Sequence, residues 1–167
     1  GRLDLLNILL DRIAEDDARR GSSDTEIIFL GDLVDRGPDS AGVVERLRIL
    51  AERDRRFRFL RGNHEEVFLK ALAGDIKSLK LLVIIGGKET ILSYGVTLDE
   101  YLACDFDELL CLMRDNVPKG HVEFIDAFEE HARIGDYIFV HAGLRPNLSI
   151  EQQRGSDLRW IRREFLE

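Results

Sequence analysis

Cysteine is scarce in this 167-residue sequence: Cys104 and Cys111 are the two residues of that type, seven positions apart in a stretch of helical texture. Two helical turns hold their backbones about 10 Å apart, beyond disulfide reach, and their spacing is not that of a zinc site. They read as reduced thiols and fit a cytoplasmic setting. No apolar run approaches the ~20 residues needed to cross a bilayer, so no membrane partner is expected. Nothing near Gly1 resembles a signal peptide. A basic excess is missing too, since the net charge is −8 and the sequence pI about 5.1. That balance excludes general nucleic-acid binding, but it leaves a phosphate-bearing substrate open, because only the local field of a cleft matters there. Internal repeats and low-complexity segments are absent as well. What remains, 44% hydrophobic and 34% charged residues, suits one globular domain over residues 1–167 with a substantial core.

The chain opens with Leu3, Leu6, Leu9, Leu10 and Ile13 at helical spacing, which predicts an amphipathic helix ended by Gly21–Asp24. A strand over Glu26–Leu30 follows. Pro38 with Asp39 or Ser40 then opens a second helix whose core stripe is Val43, Leu47 and Leu50. A second strand covers Phe57–Leu60. Helix, strand, helix, strand in this order predicts an α/β domain with parallel crossovers. Residues from about 66 to 130 read as a helical insertion in which Gly86-Gly87 is a turn. Two strands near Ala132–Ile134 and Tyr137–Val140 are joined by a hairpin turn at Gly135-Asp136, and "DLRWIRREFL" forms a closing helix.

Three of these strands end in dense polar knots. "IIFLGDLVDRGPD" delivers Asp32, Asp35 and Arg36; "FRFLRGNHEE" delivers Arg61, Asn63, His64 and Glu65; "YIFVHAGLRP" delivers His141 and Arg145. In open α/β sheets ligands bind outside the carboxyl ends of the strands, so these loops are expected to converge. Each has a plainer reading: Gly31-Asp32 as a turn, Asn63-His64 as a capped helix start, His141 as a hydrogen-bonded core residue. Taken jointly, a carboxylate, an amide oxygen and imidazoles suit a divalent ion such as manganese, iron or zinc. Arginines nearby match phosphate oxygens. The combination points to hydrolysis of a phosphate ester. His121, His131 and the mixed-charge run "ERDRRFR" read as surface, and Trp160 as core packing.

"GDLVDRGPDS", "LRGNHE" and "FVHAGLRP" resemble the signature blocks of calcineurin-like metallophosphoesterases, and within them the bacterial serine/threonine phosphoprotein phosphatases. The resemblance implies that family's sandwich of sheets flanked by helices. It also implies two divalent metal ions, manganese foremost, with iron and zinc as the other options. Asp32, Asn63 and His141 match metal ligands, Asp32 bridging the two ions. His64 matches the imidazole that protonates the leaving group, and Asp35 the carboxylate that orients it. Arg36, Arg61 and Arg162 match phosphate-binding positions, while Arg145 replaces a less fixed one. The implied chemistry is direct attack on phosphorus by a metal-bound water or hydroxide. The implied substrates are phosphorylated serine, threonine or tyrosine side chains, or a small phosphoester.

Two blocks of the pattern are not found: an Asp-x-His block on a first strand and a late Gly-His block. The expectation is therefore of a domain incomplete at both ends, largely inactive by itself, in which one carboxylate, one amide and one histidine leave two dications under-coordinated. Hydrolysis of dinucleoside polyphosphates is the alternative, since relatives with similar "GDLV" and "GNH" blocks use nucleotides. A non-catalytic phosphate- or metal-binding module is the third reading.

Overall fold

The computed structural model describes residues 1–21 and 24–167. Ser22 and Ser23, within the stretch expected to end the first helix, lie outside the described residues. That helix, α1, spans Leu3–Arg20 and stops at Gly21, whose φ of 88° lies in the left-handed region that glycine enters without a side-chain penalty. Its apolar stripe is less covered than its spacing predicts. Leu3 and Leu6 pack against the core, yet Leu9 is 54% exposed.

Strand β1 (Ile27–Phe29), helix α2 (Ser40–Arg53) and strand β2 (Phe57–Phe59) make the expected crossover. The strands pair in parallel with Ile27 opposite Phe57 and Phe29 opposite Phe59. Asp39 caps α2 by accepting the Gly42 N–H at 2.8 Å, the role short polar residues play at helix starts. Val43 and Leu47 of the expected stripe are buried, joined by Val44.

Between β2 and the next strand the chain is helical, as expected. The elements are α3 (Asn63–Leu72), α4 (Ile76–Ile85), α5 (Gly87–Ser93), α6 (Leu98–Ala103), α7 (Phe106–Asn116) and α8 (Lys119–Asp126). Gly86 turns the chain between α4 and α5 with φ 110°. Helix α3 is the hub, placing Val67, Phe68 and Ala71 against α4, α7 and α8. Leu79, Leu82, Met113 and Ile125 close around them, each contributing about 2 kcal/mol of burial relative to exposure. From the sheet side, Phe29 stacks on Phe59 at 5.1 Å and Phe59 on Phe128 at 5.3 Å. The core thus fastens the carboxyl ends of β1 and β2 to the start of α3.

The chain then forms β3 (Ala132–Ile134) and β4 (Tyr137–Phe139), an antiparallel hairpin turning at Gly135. A 3-10 turn (Ile150–Gln152) precedes the last elements. The single closing helix expected from "DLRWIRREFL" is instead two, α9 (Gly155–Trp160) and α10 (Arg163–Leu166). The break lets Ile161 turn inward, where it is buried against Gly143.

Two further expectations are corrected. His121 is buried rather than on the surface, its ring bonded to Tyr94 Oη at 3.1 Å and Glu45 Oε2 at 3.0 Å. Spacing explains it: His121 and Ile125 lie four apart on the inward face of α8. Trp160 is 39% exposed rather than core, with its indole N–H donating to Glu66 Oε2 at 2.8 Å.

Candidate active site

The three polar loops meet beyond the carboxyl ends of β1 and β2, where the end of β4, from the separate β3–β4 sheet, brings His141 beside Leu30 and Asn63. Their closeness needs glycine at two positions. A Cβ on Gly31 would stand 2.6 Å from Gly62 N, and one on Gly62 would stand 2.6 Å from Asp32 N. With hydrogen there instead, His141 donates from Nδ1 to Leu30 O at 2.5 Å, since a carbonyl can only accept. Its Nε2 then faces Asn63 Oδ1 at 3.1 Å and Asp32 Oδ1 at 3.5 Å.

These three atoms are the expected metal ligands, and they fit a cation. A lone pair on Nε2, an amide oxygen and a carboxylate oxygen converge, and the Nδ1–H bond to a backbone carbonyl orients the ring as it does in metal-binding histidines. Among the described residues no group of three or more His, Cys, Asp and Glu is arranged to hold a metal ion; here the third donor is an amide. Asp32, Asn63 and His141 open onto a cavity of about 370 Å³ that Arg162 also lines. On its other side Asp32 borders a second cavity of about 290 Å³ with Asp35, Arg36 and His64.

Asp35 and His64 form the second half of the site. Asp35 Oδ2 accepts from His64 Nδ1 at 2.6 Å, and Arg36 Nη2 stands 3.0 Å from His64 Nε2. A carboxylate accepts and a guanidinium donates, so the neutral ring carries its proton on Nδ1. The hydrogen bond to Asp35 raises the imidazole's pKa, against the desolvation of burial; the nearby Asp32 carboxylate adds to the rise.

The loop itself is conformationally costly. Asp32, Asp35 and Arg36 have φ of 56°, 68° and 60°, a left-handed geometry that costs a non-glycine residue about 1 kcal/mol or more. Glu65 is what holds it. Its fully buried carboxylate accepts the N–H groups of Asp32 at 2.9 Å, Leu33 at 2.7 Å and Gly62 at 2.9 Å. Burial pushes the Glu65 carboxyl up, against backbone donors that favour its charged form. Sequence reading passed over Glu65 as a functional residue, although a glutamate three residues after Gly62 stands where its carboxylate can reach back to that residue's N–H.

The arginines divide. Arg36 and Arg162 reach the two cavities. Arg61 turns away, its Nη2 3.0 Å from Asp126 Oδ1 and its Nε buried without a partner. Arg145 is paired with Asp157 at 2.8 Å. Unforeseen in the sequence is the Glu66–Arg159–Trp160 cluster, where Glu66 Oε2 accepts from Arg159 Nε at 2.7 Å. Among the described residues no helix is long and apolar enough to cross a membrane.

Similarity to known proteins agrees with this geometry. Residues 1–166 match the family model described as calcineurin-like phosphoesterase. A protein of Nitrosospira multiformis named bis(5'-nucleosyl)-tetraphosphatase, symmetrical, is 34% identical over 145 residues, covering 86% of this chain and 40% of its own length. Proteins of the same name from Nitrosomonas europaea and Acidovorax sp. are each 33% identical, covering 74% and 75% of this chain and 36% of their own lengths. The chain therefore spans well under half of each of these relatives. Enzymes built on this family's fold are generally dinuclear metal phosphoesterases. With its sheet-end loops matched along their whole extent, the chain belongs to the calcineurin-like phosphoesterase family.

Proposed function

We propose that this chain carries the phosphate-hydrolysing centre of a metal-dependent phosphoesterase that acts on dinucleoside polyphosphates. The observation that carries the reading is the meeting of Asp32, Asn63 and His141 beside the Asp35–His64 pair. The substrate follows from the relatives, which are named as symmetrical tetraphosphatases. Their names favour the nucleotide alternative over the serine/threonine phosphatase that the signature blocks first suggest.

Divalent ions held by Asp32, Asn63 and His141 would supply Lewis acidity at phosphorus and lower the pKa of a water. Arg36 and Arg162 grip the phosphate oxygens, each offering a planar fork of donors. Water adds at phosphorus and gives up a proton to solvent, the bond to the leaving phosphate oxygen breaks, and His64, having taken a proton from solvent onto Nε2 once Arg36 withdraws, delivers it to that oxygen. Asp35, on the far side of the ring, holds His64 in place. Gripping the phosphate draws Arg36 away from Nε2 and opens that atom to the leaving group. Three donors are few for two dications, so this chain by itself is expected to bind metal weakly and turn over slowly.

The test compares diadenosine tetraphosphate with a phosphoserine peptide as substrates of the full gene product, with manganese, iron(II) or zinc added. Preference for the dinucleotide supports the proposal. Preference for the peptide restores the protein phosphatase reading, which the "DRG" and "RGNHE" blocks favour. Phosphate binding without hydrolysis of either would make the chain a binding module.

A further inference from the structure

We propose that Thr90 is a positioning residue of this centre: its hydroxyl, supplied by α5, fixes the Asp35 carboxylate and through it the His64 ring. The proposal rests on the reading that Asp35 and His64 serve the leaving group.

Asp35 is buried, with a side-chain exposure of 0%, and both its carboxylate oxygens are committed. Oδ2 takes the His64 Nδ1–H; Oδ1 accepts from Thr90 Oγ1 at 2.7 Å. Since the single hydroxyl hydrogen of Thr90 goes to the carboxylate, Thr90 Oγ1 acts as acceptor in its other contacts. It accepts the Asp35 backbone N–H at 2.8 Å and the Ser40 hydroxyl at 2.8 Å. Ser40 Oγ in turn shares the Asp35 N–H at 3.1 Å. Thr90 and Ser40 are both fully buried; each hydroxyl hydrogen and the His64 ring hydrogen has one acceptor, and the Asp35 N–H is shared between the two hydroxyl oxygens.

A threonine inside a helix ordinarily returns its hydroxyl to a carbonyl of its own preceding turn. Thr90 instead reaches a loop 55 residues earlier in the sequence. The same segment supports Arg36. Gly86 O accepts the Arg36 N–H at 2.9 Å, and Ile85 O lies 3.3 Å from Arg36 Nε. Two consecutive left-handed residues, Asp35 and Arg36, therefore rest on α5 and the turn before it, each through its backbone N–H and its side chain. Remove the Thr90 hydroxyl and Asp35 Oδ1 loses its donor, so the carboxylate is free to rotate about its Cβ–Cγ bond and the ring follows.

The experiment compares Thr90→Val and Thr90→Ser in the full gene product, with two readouts. The first is hydrolysis of an alkyl phosphate and of p-nitrophenyl phosphate, whose leaving oxygen needs little protonation. Thr90→Val is expected to lower kcat on the alkyl ester by about tenfold or more, a fraction of what a general acid supplies. It should change kcat on the nitrophenyl ester less than about threefold and leave KM nearly constant, because the phosphate grip is untouched. Thr90→Ser should recover most of the alkyl-ester rate. The second readout is the His64 Nδ1–H proton resonance, expected downfield in the wild type and in Thr90→Ser, and shifted or lost in Thr90→Val. Equal losses on both esters, an unchanged His64 resonance in Thr90→Val, or a serine variant that behaves like valine would each overturn the proposal. Should valine fail to fold, Thr90→Ala decides: it removes the hydroxyl altogether, so wild-type behaviour on both readouts would also refute the role. If the wild type hydrolyses neither ester nor diadenosine tetraphosphate, the functional reading falls, and the His64 resonance alone decides whether Thr90 positions the pair.

Discussion

His141 Nε2 lies 3.5 Å from Asp32 Oδ1, although the two residues leave different strands and stand 109 positions apart in the chain. Leu30 O anchors the other ring nitrogen, so the ring has one orientation, and that orientation faces the carboxylate. Replacing His141 with Ala should therefore weaken manganese binding by about tenfold or more, the scale on which metal sites lose affinity when their shell is disturbed. Titration calorimetry checks it. An unchanged affinity would place the ion elsewhere.

Glu65 gives a stability prediction. Glu65→Ala leaves the backbone N–H groups of Asp32, Leu33 and Gly62 without their acceptor inside the fold, which should cost about 3 kcal/mol or more. Glu65→Gln keeps the shape and one acceptor oxygen, so its loss should be smaller. Urea unfolding measures both, and equal stabilities would mean that the left-handed loop is held by other contacts.

How much of this was open to reading from residues alone follows from where each signal resides. Asp32, Asn63 and His141 stand immediately after apolar strand-like runs, and the rule that loops at strand ends share one rim brings them together. The hairpin at Gly135 and the capped start of α2 at Asp39 are local, and they were legible for that reason. Thr90 carries no such mark, because its partners are far away in the chain, and the local mark of Glu65 foretells its bond to Gly62 but not those to Asp32 and Leu33. His121 and Trp160 were misjudged by residue type: the first is enclosed by Tyr94 and Glu45, the second is drawn to the surface ion cluster. Arg61 shares a signature block with His64, yet neighbouring residues can send long side chains in opposite directions, and its own goes to Asp126.

Acid should loosen the α9 contact before the hydrophobic core. Burial alone would raise the Glu66 pKa, but donation from Arg159, Lys70 and Trp160 outweighs it and holds the group at about 2 against an ordinary 4.5. A carboxylate depressed in the folded state stabilises it fully above its unfolded value, and that contribution disappears as pH falls through the folded one. Stability should thus decline between about pH 4.5 and 2, and Glu66→Gln should flatten that slope. Emission from Trp160, the one tryptophan in the sequence, follows the transition under urea. A slope unaltered by the substitution would exclude Glu66 as its source.

The most direct test is where manganese sits. Substoichiometric Mn²⁺ broadens amide resonances close to it even when binding is weak, so the measurement works on this chain as it stands. Broadening confined to residues 31–36, 62–65 and 140–143 is the predicted result. Broadening centred on another part of the molecule, or spread evenly over its acidic surface, would contradict a metal site built by Asp32, Asn63 and His141.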